Sequence, residues 1–274
     1  MAIYLGLNQL DFKGEMEVEV APSVVDQIVQ KEIVSYSNSR VTSIGVGIFA
    51  YCSSLSTINF PNVISIGSSA FYYCSSLTTI SFVNATSIGS YAFAYCSNLA
   101  TINLPKITVL PSGVFQTCSK LTQLTLSSGV NSIGSYAFAE CFTLSSVSFP
   151  NVTYLGNYAF SGCKNLTTIS LPMLASIPGY CFQYCSSLTT AYFSKITSIA
   201  NYALRYCYNL TSLNLQGITS VPTLGTSVFT STPIGGYTTS TGGVYGSVYV
   251  PASLYNSFLT ATNWSLISSR IVSI

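Results

Sequence analysis

The stretch SIGSYAFAYCSNLATINLP, from Ser87 to Pro105, returns along the chain at a nearly constant interval. Its cysteine has counterparts at steps of 22 residues, with one step of 23, at Cys52, Cys74, Cys96, Cys118, Cys141, Cys163, Cys185 and Cys207. A phenylalanine or leucine lies three residues before each of these cysteines, and a leucine lies three residues after it. The pattern therefore predicts about eight copies of one structural unit.

Each copy divides into two parts. The segment LATINLP (99–105) carries β-branched residues and alternates in its second half, which predicts a short strand. The segment SYAFAYC (90–96) begins with a residue that can cap a helix, which predicts a short helical turn. The position just before this segment is glycine in most copies but proline at Pro111 and Pro178. We therefore expect this column of equivalent positions to require a small residue and close approach of the backbone, not a left-handed conformation.

A repeat of this length with a Leu-x-x-Ile-x-Leu segment is typical of a leucine-rich solenoid. We therefore predict an α/β solenoid: a leucine-rich repeat right-handed superhelix of about eight 22-residue repeats, with short parallel strands on one face and short helical turns on the other. The expected division is an N-terminal cap (1–40), a repeat array (41–220), and a divergent last repeat with a C-terminal cap (221–274).

The two ends of the array carry patterns of their own. In the N-terminal cap, EMEVEV (15–20) predicts a strand with one wet face, and PSVVDQIVQKEI (22–33) predicts an amphipathic helix. In the C-terminal cap, a helix is expected from Pro251 through Ala261, and Trp264 and the final RIVSI are expected to cover the last strand. A Gly/Thr-rich surface loop is predicted at 235–246. Within the array, Glu140, Phe142 and the 23-residue step mark an irregular coil.

The cysteines occupy inward positions of this scheme. A small apolar residue usually lies four positions earlier, and the ninth cysteine, Cys181, belongs to that neighbouring column. Stacked equivalents would point in the same direction, which suits disulfide geometry poorly. The favoured interpretation is a reduced structural column that packs like a small hydrophobe and donates to a loop carbonyl. Some disulfide bridging, or a metal or redox role, is the alternative.

These residues closely resemble the BspA-like leucine-rich repeats, whose unit reads roughly I-G-x-x-A-F-x-x-C-x-x-L-x-x-I-x-(L/I/F)-P. SIGSSAFYYCSSLTTISF (65–82) matches that unit almost letter for letter, as does the opening stretch. The resemblance covers about 41–220, and FTSTPIGG (229–236) with the segment after it looks like the family's terminal cap. The resemblance implies a bacterial surface or secreted protein associated with adhesion to host proteins and other cells.

Composition excludes several classes of function. Charged residues make up only 6% of the chain, and its basic side chains are scattered, so no nucleic-acid partner is expected. No apolar run is long enough to span a membrane, and no signal-peptide pattern is visible, so either the protein is not secreted or the sequence begins after its signal. The chain has no histidine, and Glu140 is the only acid after residue 32. We therefore expect no catalytic residues, no metal and no cofactor.

Two surfaces remain as candidate binding sites. The outward strand positions form a hydroxyl-rich face, and β-propensity and solubility are the simpler explanation for its composition. Its first row contains Thr57, Thr79, Thr101, Gln123, Ser146, Thr168, Thr190 and Ser212, and its second row contains Asn59, Ser81, Asn103, Thr125, Ser148, Ser170, Tyr192 and Asn214. Tyrosines recur in two columns four residues apart and are expected side by side, where packing between coils is the simpler explanation. The first tyrosine column contains Tyr91, Tyr136, Tyr158, Tyr180 and Tyr202; the second contains Tyr51, Tyr73, Tyr95, Tyr184 and Tyr206.

The sequence thus favours a non-enzymatic adhesion or interaction module, bacterial and cell-surface or secreted. Its partner would be an unidentified extracellular protein or glycan bound through the solenoid faces, and the chain is expected to be a monomer. The alternative is a structural or receptor-binding component of a phage virion or of a larger surface assembly. An enzyme is the third hypothesis, and the missing histidine argues against it.

Overall fold

The protein is a parallel-strand solenoid of about 11 turns with little helix. The computed structural model describes residues 34–237 and 245–274. The predicted N-terminal strand and helix and most of the Gly/Thr-rich loop lie outside these residues. The solenoid contains more coils than the eight repeats that we counted, because the count omitted coils before Cys52 and after Cys207 whose sequences depart from the cysteine frame.

One face of most coils contributes a strand of three or four residues with an inward-pointing side chain near its centre. These strands are β1 Ser35–Ser37, β3 Thr57–Asn59, β5 Thr79–Ser81, β7 Thr101–Leu104, β9 Gln123–Leu126, β12 Thr168–Ser170, β14 Thr190–Tyr192, β16 Ser212–Asn214, β18 Ser247–Val250 and β19 Ile271–Ser273. Their pairing is parallel, and in the repeat array Thr79 lies opposite Thr101 and Thr168 opposite Thr190. Because the repeat length equals this register, each inward residue stacks on its equivalent in the next coil.

A second set of two-residue strands follows the first set around the coil. Its members are β2 Ser43–Ile44, β4 Ser65–Ile66, β6 Ser87–Ile88, β8 Val109–Leu110, β10 Ser132–Ile133, β11 Tyr154–Leu155, β13 Ser176–Ile177, β15 Ser198–Ile199 and β17 Thr223–Leu224. They also pair in parallel, as Ser65 does with Ser87. The chain therefore turns two corners per coil, and the segment ending in cysteine closes the third side.

That third side, the turn face, is where the α/β prediction is wrong. In the described residues the only α-helix is α1 (Tyr255–Thr260), with 3₁₀ turns at Ala252–Leu254 and Ser265–Arg270, all in the C-terminal cap. A helix would satisfy its amides within the coil, whereas here they reach the next coil. The amides of Tyr91, Phe93 and Tyr95 donate to carbonyls of the following coil at 2.9, 3.0 and 2.7 Å. Ser90 therefore caps no helix, and its column is part of this inter-coil ladder.

The core is a stack of phenylalanines with a closely packed backbone around it. Phe71 lies parallel to Phe93 with ring centroids 5.1 Å apart, and both are fully buried. The glycine column confirms the requirement for close approach: a Cβ on Gly89 would lie 2.3 Å from the backbone nitrogen of Ser68. A side chain at Gly89 would push adjacent coils apart, which explains the glycine there. The column also contains Pro111, Pro178 and Ala200, so the approach is not equally close in every coil.

The strand ladder is interrupted in the middle of the array. No strand forms at 145–149, between β9 and β12, while the second set continues through β10 and β11. The extra residue of the 23-residue step falls in the turn at 127–129, where the Ser127 hydroxyl accepts from the Gly129 amide. The solenoid thus absorbs one additional residue locally and then resumes its register.

The C-terminal coil is closed by packing and by hydrogen bonds. β19 pairs with β18 in parallel, so the end of the chain covers the last strand. Trp264 is fully buried between Phe229 and Phe258, and its indole N–H donates to the carbonyl of Pro222 at 2.7 Å. The expected helix is present in part, as a 3₁₀ turn followed by α1.

Candidate functional site

The cysteines line the interior of the solenoid on the turn face. All nine are free and buried, and a thiol in one coil donates to a phenylalanine carbonyl in the preceding coil. The sulfur–oxygen distance is 3.1 Å from Cys96 to Phe71 and 3.2 Å from Cys185 to Phe160. Burial raises the pKa of both thiols to about 12, so they are neutral at physiological pH. A neutral, enclosed thiol is a poor nucleophile and a poor metal ligand.

The remaining chemical groups are sparse in the described part of the chain. No three His, Cys, Asp or Glu side chains there come together in a way that could hold a metal ion. Within residues 34–237 and 245–274, Glu140 is the single acidic side chain. No helix in these ranges has the length and apolarity needed to cross a membrane. The arrangement offers surfaces for recognition and lacks a paired acid and base for catalysis.

The strand face carries the two predicted polar rows. Thr57, Thr79, Gln123 and Thr168 are exposed, while Thr101 is partly covered by its neighbours. Side chains in adjacent coils contact each other along the rows. Asn103 donates to the Ser81 hydroxyl at 3.0 Å, and Thr101 donates to the Gln123 amide oxygen at 3.3 Å. Ser146 and Ser148 lie in the segment without a strand, so the rows are continuous only on either side of it.

All ten tyrosines of the two columns have a left-handed backbone. Their φ angles lie between 57° for Tyr91 and 63° for Tyr51. The first column also contains Gly47, Ser69, Gly113 and Ser227, and the second also contains Thr117, Glu140, Gly162 and Ser231, all with positive φ. Glycine and asparagine are the residues that usually occupy this conformation. The chain thus places a bulky aromatic residue where the backbone disfavours it.

Nine of the ten tyrosine rings stack on an equivalent in an adjacent coil, whereas Tyr91 has Ser69 and Gly113 as its neighbours in the column. In the first column, Tyr158 lies 4.8 Å from Tyr136 and 4.7 Å from Tyr180, with nearly parallel rings. In the second column, Tyr73 and Tyr95 are 4.4 Å apart, and Tyr184 and Tyr206 are 4.7 Å apart. The stacking hides the ring faces from solvent and leaves ring edges and hydroxyls outward. Several of these side chains stay well exposed, including Tyr184 at 46%.

The strain and the stacking of these tyrosines are of similar size. A left-handed non-glycine residue costs roughly 1–2 kcal/mol, and an aromatic pair contributes about 0.5–1.5 kcal/mol beyond its buried area. The ring area buried between coils adds further stabilisation. A column of asparagine or glycine would satisfy the same backbone at lower conformational cost. Tyrosine differs from those residues in the aromatic surface that it leaves exposed.

Tyr91 and Tyr95, one from each column, lie close to each other. Burial raises the pKa of Tyr95, and the nearby Tyr73, Glu140 and Tyr91 raise it further. The helical spacing from which we expected the columns to lie side by side is not present in these turns.

The second column is interrupted in the middle of the array, where Thr117, Glu140 and Gly162 replace tyrosine. A recess of about 470 Å³ lies at this interruption. It is lined by Gln116, Tyr136, Ala139, Glu140, Phe142, Tyr158, Ser161, Gly162, Lys164, Gln183 and Tyr184. The recess was not predicted from the sequence. The signal that could have indicated it was the departure of three consecutive repeats from tyrosine in one column, together with the only acid of the array.

Comparison with known proteins identifies the repeat. A family model described as BspA type leucine rich repeat region matches the chain in six copies, over residues 31–141 and 108–234. A search of curated proteins finds no match.

Solved structures show a similar repeat architecture at low similarity. A leucine-rich repeat protein from Bacteroides ovatus is 22% identical over 89% of this chain and 84% of its own, with a TM-score of 0.45. A leucine rich cell surface protein from Faecalibacterium prausnitzii is 19% identical over 88% of this chain and 87% of its own, with a TM-score of 0.42. The leucine rich repeat protein of T. pallidum is 21% identical over 72% of this chain and 81% of its own, with a TM-score of 0.46.

Proposed function

Because this chain belongs to the BspA-type leucine-rich repeat family, we propose that it is a non-enzymatic recognition module, secreted or displayed on a bacterial surface. It binds an extracellular protein or glycan partner through the tyrosine face, the surface that carries the two tyrosine columns. The observation that carries the proposal is the left-handed backbone of ten tyrosines, nine of which stack on an equivalent in an adjacent coil. Asparagine or glycine would hold the same backbone at lower conformational cost, whereas exposed tyrosine is enriched at binding interfaces.

The rigidity of this surface supports the same function. Nine of the ten rings are held by an equivalent ring on one or both sides, and the backbone amide of each of the ten tyrosines is hydrogen-bonded to the next coil. Side chains that are already ordered lose little entropy when a partner binds. The strand face is a second candidate surface, but its polar rows are also what an exposed sheet needs for solubility.

Binding to immobilised mucins, extracellular-matrix proteins and bacterial cells tests this proposal. The informative variant is the double substitution Tyr158→Asn and Tyr180→Asn, because asparagine tolerates the left-handed backbone and removes only the rings. We expect it to weaken binding about tenfold or more, a change of about 1.4 kcal/mol.

The matched control is the double substitution Thr168→Ala and Thr190→Ala on the strand face of the same coils. We expect it to leave binding unchanged. Equal binding by the tyrosine variant and the natural protein would refute the assignment of the tyrosine face. Failure of the natural protein to bind anything on the panel would refute the recognition function itself.

A further inference from the structure

The second tyrosine column is interrupted at three successive positions, and the position next to Tyr184 has no side chain. Tyr184 stacks on Tyr206 on one side, and on its other side the next residue of the column is Gly162, which has no side chain. The coil before that of Gly162 in the sequence carries Glu140 at the equivalent position. Gly162 has φ of 74°, and the three atoms nearest to a Cβ built on it all belong to Glu140, at 3.5 to 3.7 Å. The space above Gly162 is therefore bounded by a carboxyl-bearing side chain and by a tyrosine.

The expected width of this space follows from the coil spacing. Neighbouring coils are separated by about 4.8 Å where their strands pair, so side chains two coils apart are separated by roughly 9–10 Å. A flat ring placed midway would lie about 4.8 Å from each side. That separation matches the 4.7 Å between Tyr184 and Tyr206, so a ligand ring can continue the stack as the tyrosine rings do.

The lining of the recess combines apolar and polar groups, and the apolar surface is the larger part. Tyr136, Phe142 and Tyr158 line it together with Gln116, Gln183 and Ser161, and the Lys164 ammonium lies 4.7 Å from the centre of the Phe142 ring. The Glu140 carboxylate already accepts one hydrogen bond, from the Thr117 hydroxyl at 3.3 Å, which leaves most of its acceptor capacity unused. Aromatic surface and polar groups of both charges therefore occur together in the lining.

This combination selects among ligands. A cationic group would meet Lys164, and an anionic group would meet Glu140, so a ligand without net charge fits best. An aromatic side chain would stack on Tyr184 but would leave the amides and the carboxylate without partners, which is costly on desolvation. A sugar ring offers a face of C–H groups to the negatively polarised tyrosine ring and hydroxyls to the perimeter, where a carboxylate acceptor makes the stronger kind of hydrogen bond.

We propose that this recess is a saccharide subsite that accepts one neutral pyranose ring between Glu140 and Tyr184. The inference rests on the proposed recognition function and narrows it, since it names glycan as the ligand class at this section of the tyrosine face. In this assignment Tyr184 supplies the stacking surface, Glu140 accepts from ring hydroxyls, and Gly162 is required because it leaves the space open.

Saturation-transfer NMR tests the proposal, with the methyl pyranosides of glucose, galactose, mannose and N-acetylglucosamine as probes and N-acetyltyrosine amide as the aromatic competitor. The decisive variant is Gly162→Tyr. The same column holds tyrosine in this backbone conformation at five other positions, so the variant is expected to fold, to stack on Tyr184 and to fill the site. We expect at least one pyranoside to bind the natural protein and to bind this variant about tenfold more weakly or worse.

Two more variants and a control separate the roles. Glu140→Gln and Tyr184→Asn are each expected to weaken pyranoside binding, whereas Thr168→Ala, on the strand face and outside the lining of the recess, is expected to leave it unchanged. Thermal unfolding of each variant checks that the fold is retained.

Three outcomes would overturn the inference: no pyranoside binds the natural protein, Gly162→Tyr binds pyranosides as the natural protein does, or N-acetyltyrosine amide binds at the recess in preference to all of them. The recognition function is judged separately, by the panel and the Tyr158 and Tyr180 substitutions. Loss of panel binding in those variants alongside a negative pyranoside result would refute the subsite and leave the wider function standing.

Discussion

The thiol of Cys96 donates a hydrogen bond to the carbonyl oxygen of Phe71 in the preceding coil, with 3.1 Å between sulfur and oxygen. The same carbonyl accepts from the amide of Cys74 within its own coil at 3.2 Å, so both of its lone pairs are used. The relation recurs along the solenoid at Cys74, Cys118, Cys141, Cys163, Cys185 and Cys207. Each of these cysteines therefore fills an interior corner and also ties two coils together.

The first prediction concerns this hydrogen bond. Cys96→Ala removes the donor and opens a small void, so the free energy of unfolding should fall by about 1–2 kcal/mol. Chemical denaturation followed by circular dichroism measures the change. Cys181→Ala is the matched control, because neighbouring coils carry alanine at that position, and we expect a smaller loss. A larger loss for Cys181→Ala than for Cys96→Ala would contradict the role given to the thiol.

Stability should fall at alkaline pH. Burial raises the pKa of the Cys96 and Cys185 thiols to about 12, whereas a thiol in an unfolded chain titrates near 8.5. The unfolded chain therefore releases protons first. The contribution is fully present below about pH 8.5 and is lost as the pH rises towards 12, by about 1.4 kcal/mol per pH unit for each thiol.

Denaturation midpoints measured from neutral pH to above pH 9 check this slope. Cys185→Ala removes one of these thiols, so the free energy of unfolding of this variant should fall by about 1.4 kcal/mol less per pH unit than that of the natural protein. In the same pH range, iodoacetamide should modify the native protein far more slowly than the unfolded chain, since burial suppresses the reactive thiolate. Alkylation of the folded protein at the rate of a free thiol would show that the interior is open.

Close packing of the coils gives a third prediction. Gly89→Ala would place a Cβ 2.3 Å from the Ser68 nitrogen, so adjacent coils must separate, and we expect a loss of about 3 kcal/mol or more. Gly179→Ala is the control, because its nearest atom would be the Asn201 oxygen at 3.4 Å, an ordinary contact. Thermal unfolding compares the two. Similar melting temperatures for both variants would argue against the backbone contact as the reason for the glycine column.

The fourth prediction concerns the relative stability of glycine and alanine variants, which should be opposite at two neighbouring positions. At Tyr158, with φ of 59°, glycine should be more stable than alanine by about 1 kcal/mol, because alanine retains the left-handed strain. At the neighbouring Asn157, where φ is not positive, alanine should be the more stable substitution by about 0.5–1 kcal/mol. Unfolding of the four single variants tests both orders. The same order at both positions would mean that the backbone of Tyr158 is not left-handed in solution.

The solenoid could be predicted from the sequence because the evidence for it is a nearly constant repeat length. A column that recurs every 22 residues stacks on itself only if the coils repeat with that register, and the pairing of Thr79 with Thr101 has it. Inward leucines and phenylalanines, small glycines and buried thiols all follow from this single fact. The strands of the first set, apart from the missing one at 145–149, could be predicted for the same reason, since β-branched alternation indicates burial. The second set, such as Ser65–Ile66, was not predicted.

The conformation of the turn face was not readable in this way. SYAFAYC carries a capping residue and apolar positions that suit a short helix, and local propensity alone cannot distinguish the two outcomes. The preference was overridden by the amides of Tyr91, Phe93 and Tyr95, which find partners in the next coil. Such bonds exist only once the coils are stacked, so no single repeat contains the information.

The amino-acid sequence by itself thus determined the repeat, the register and the identity of the core, because each repeat carries apolar residues at the same buried positions. Only the tertiary structure decided that the tyrosines are left-handed, that their rings stack, and that Gly162 leaves a space between Glu140 and Tyr184. The physical reason is that these features arise between coils: the strain, the stacking and the recess each depend on what the neighbouring turn of the solenoid presents.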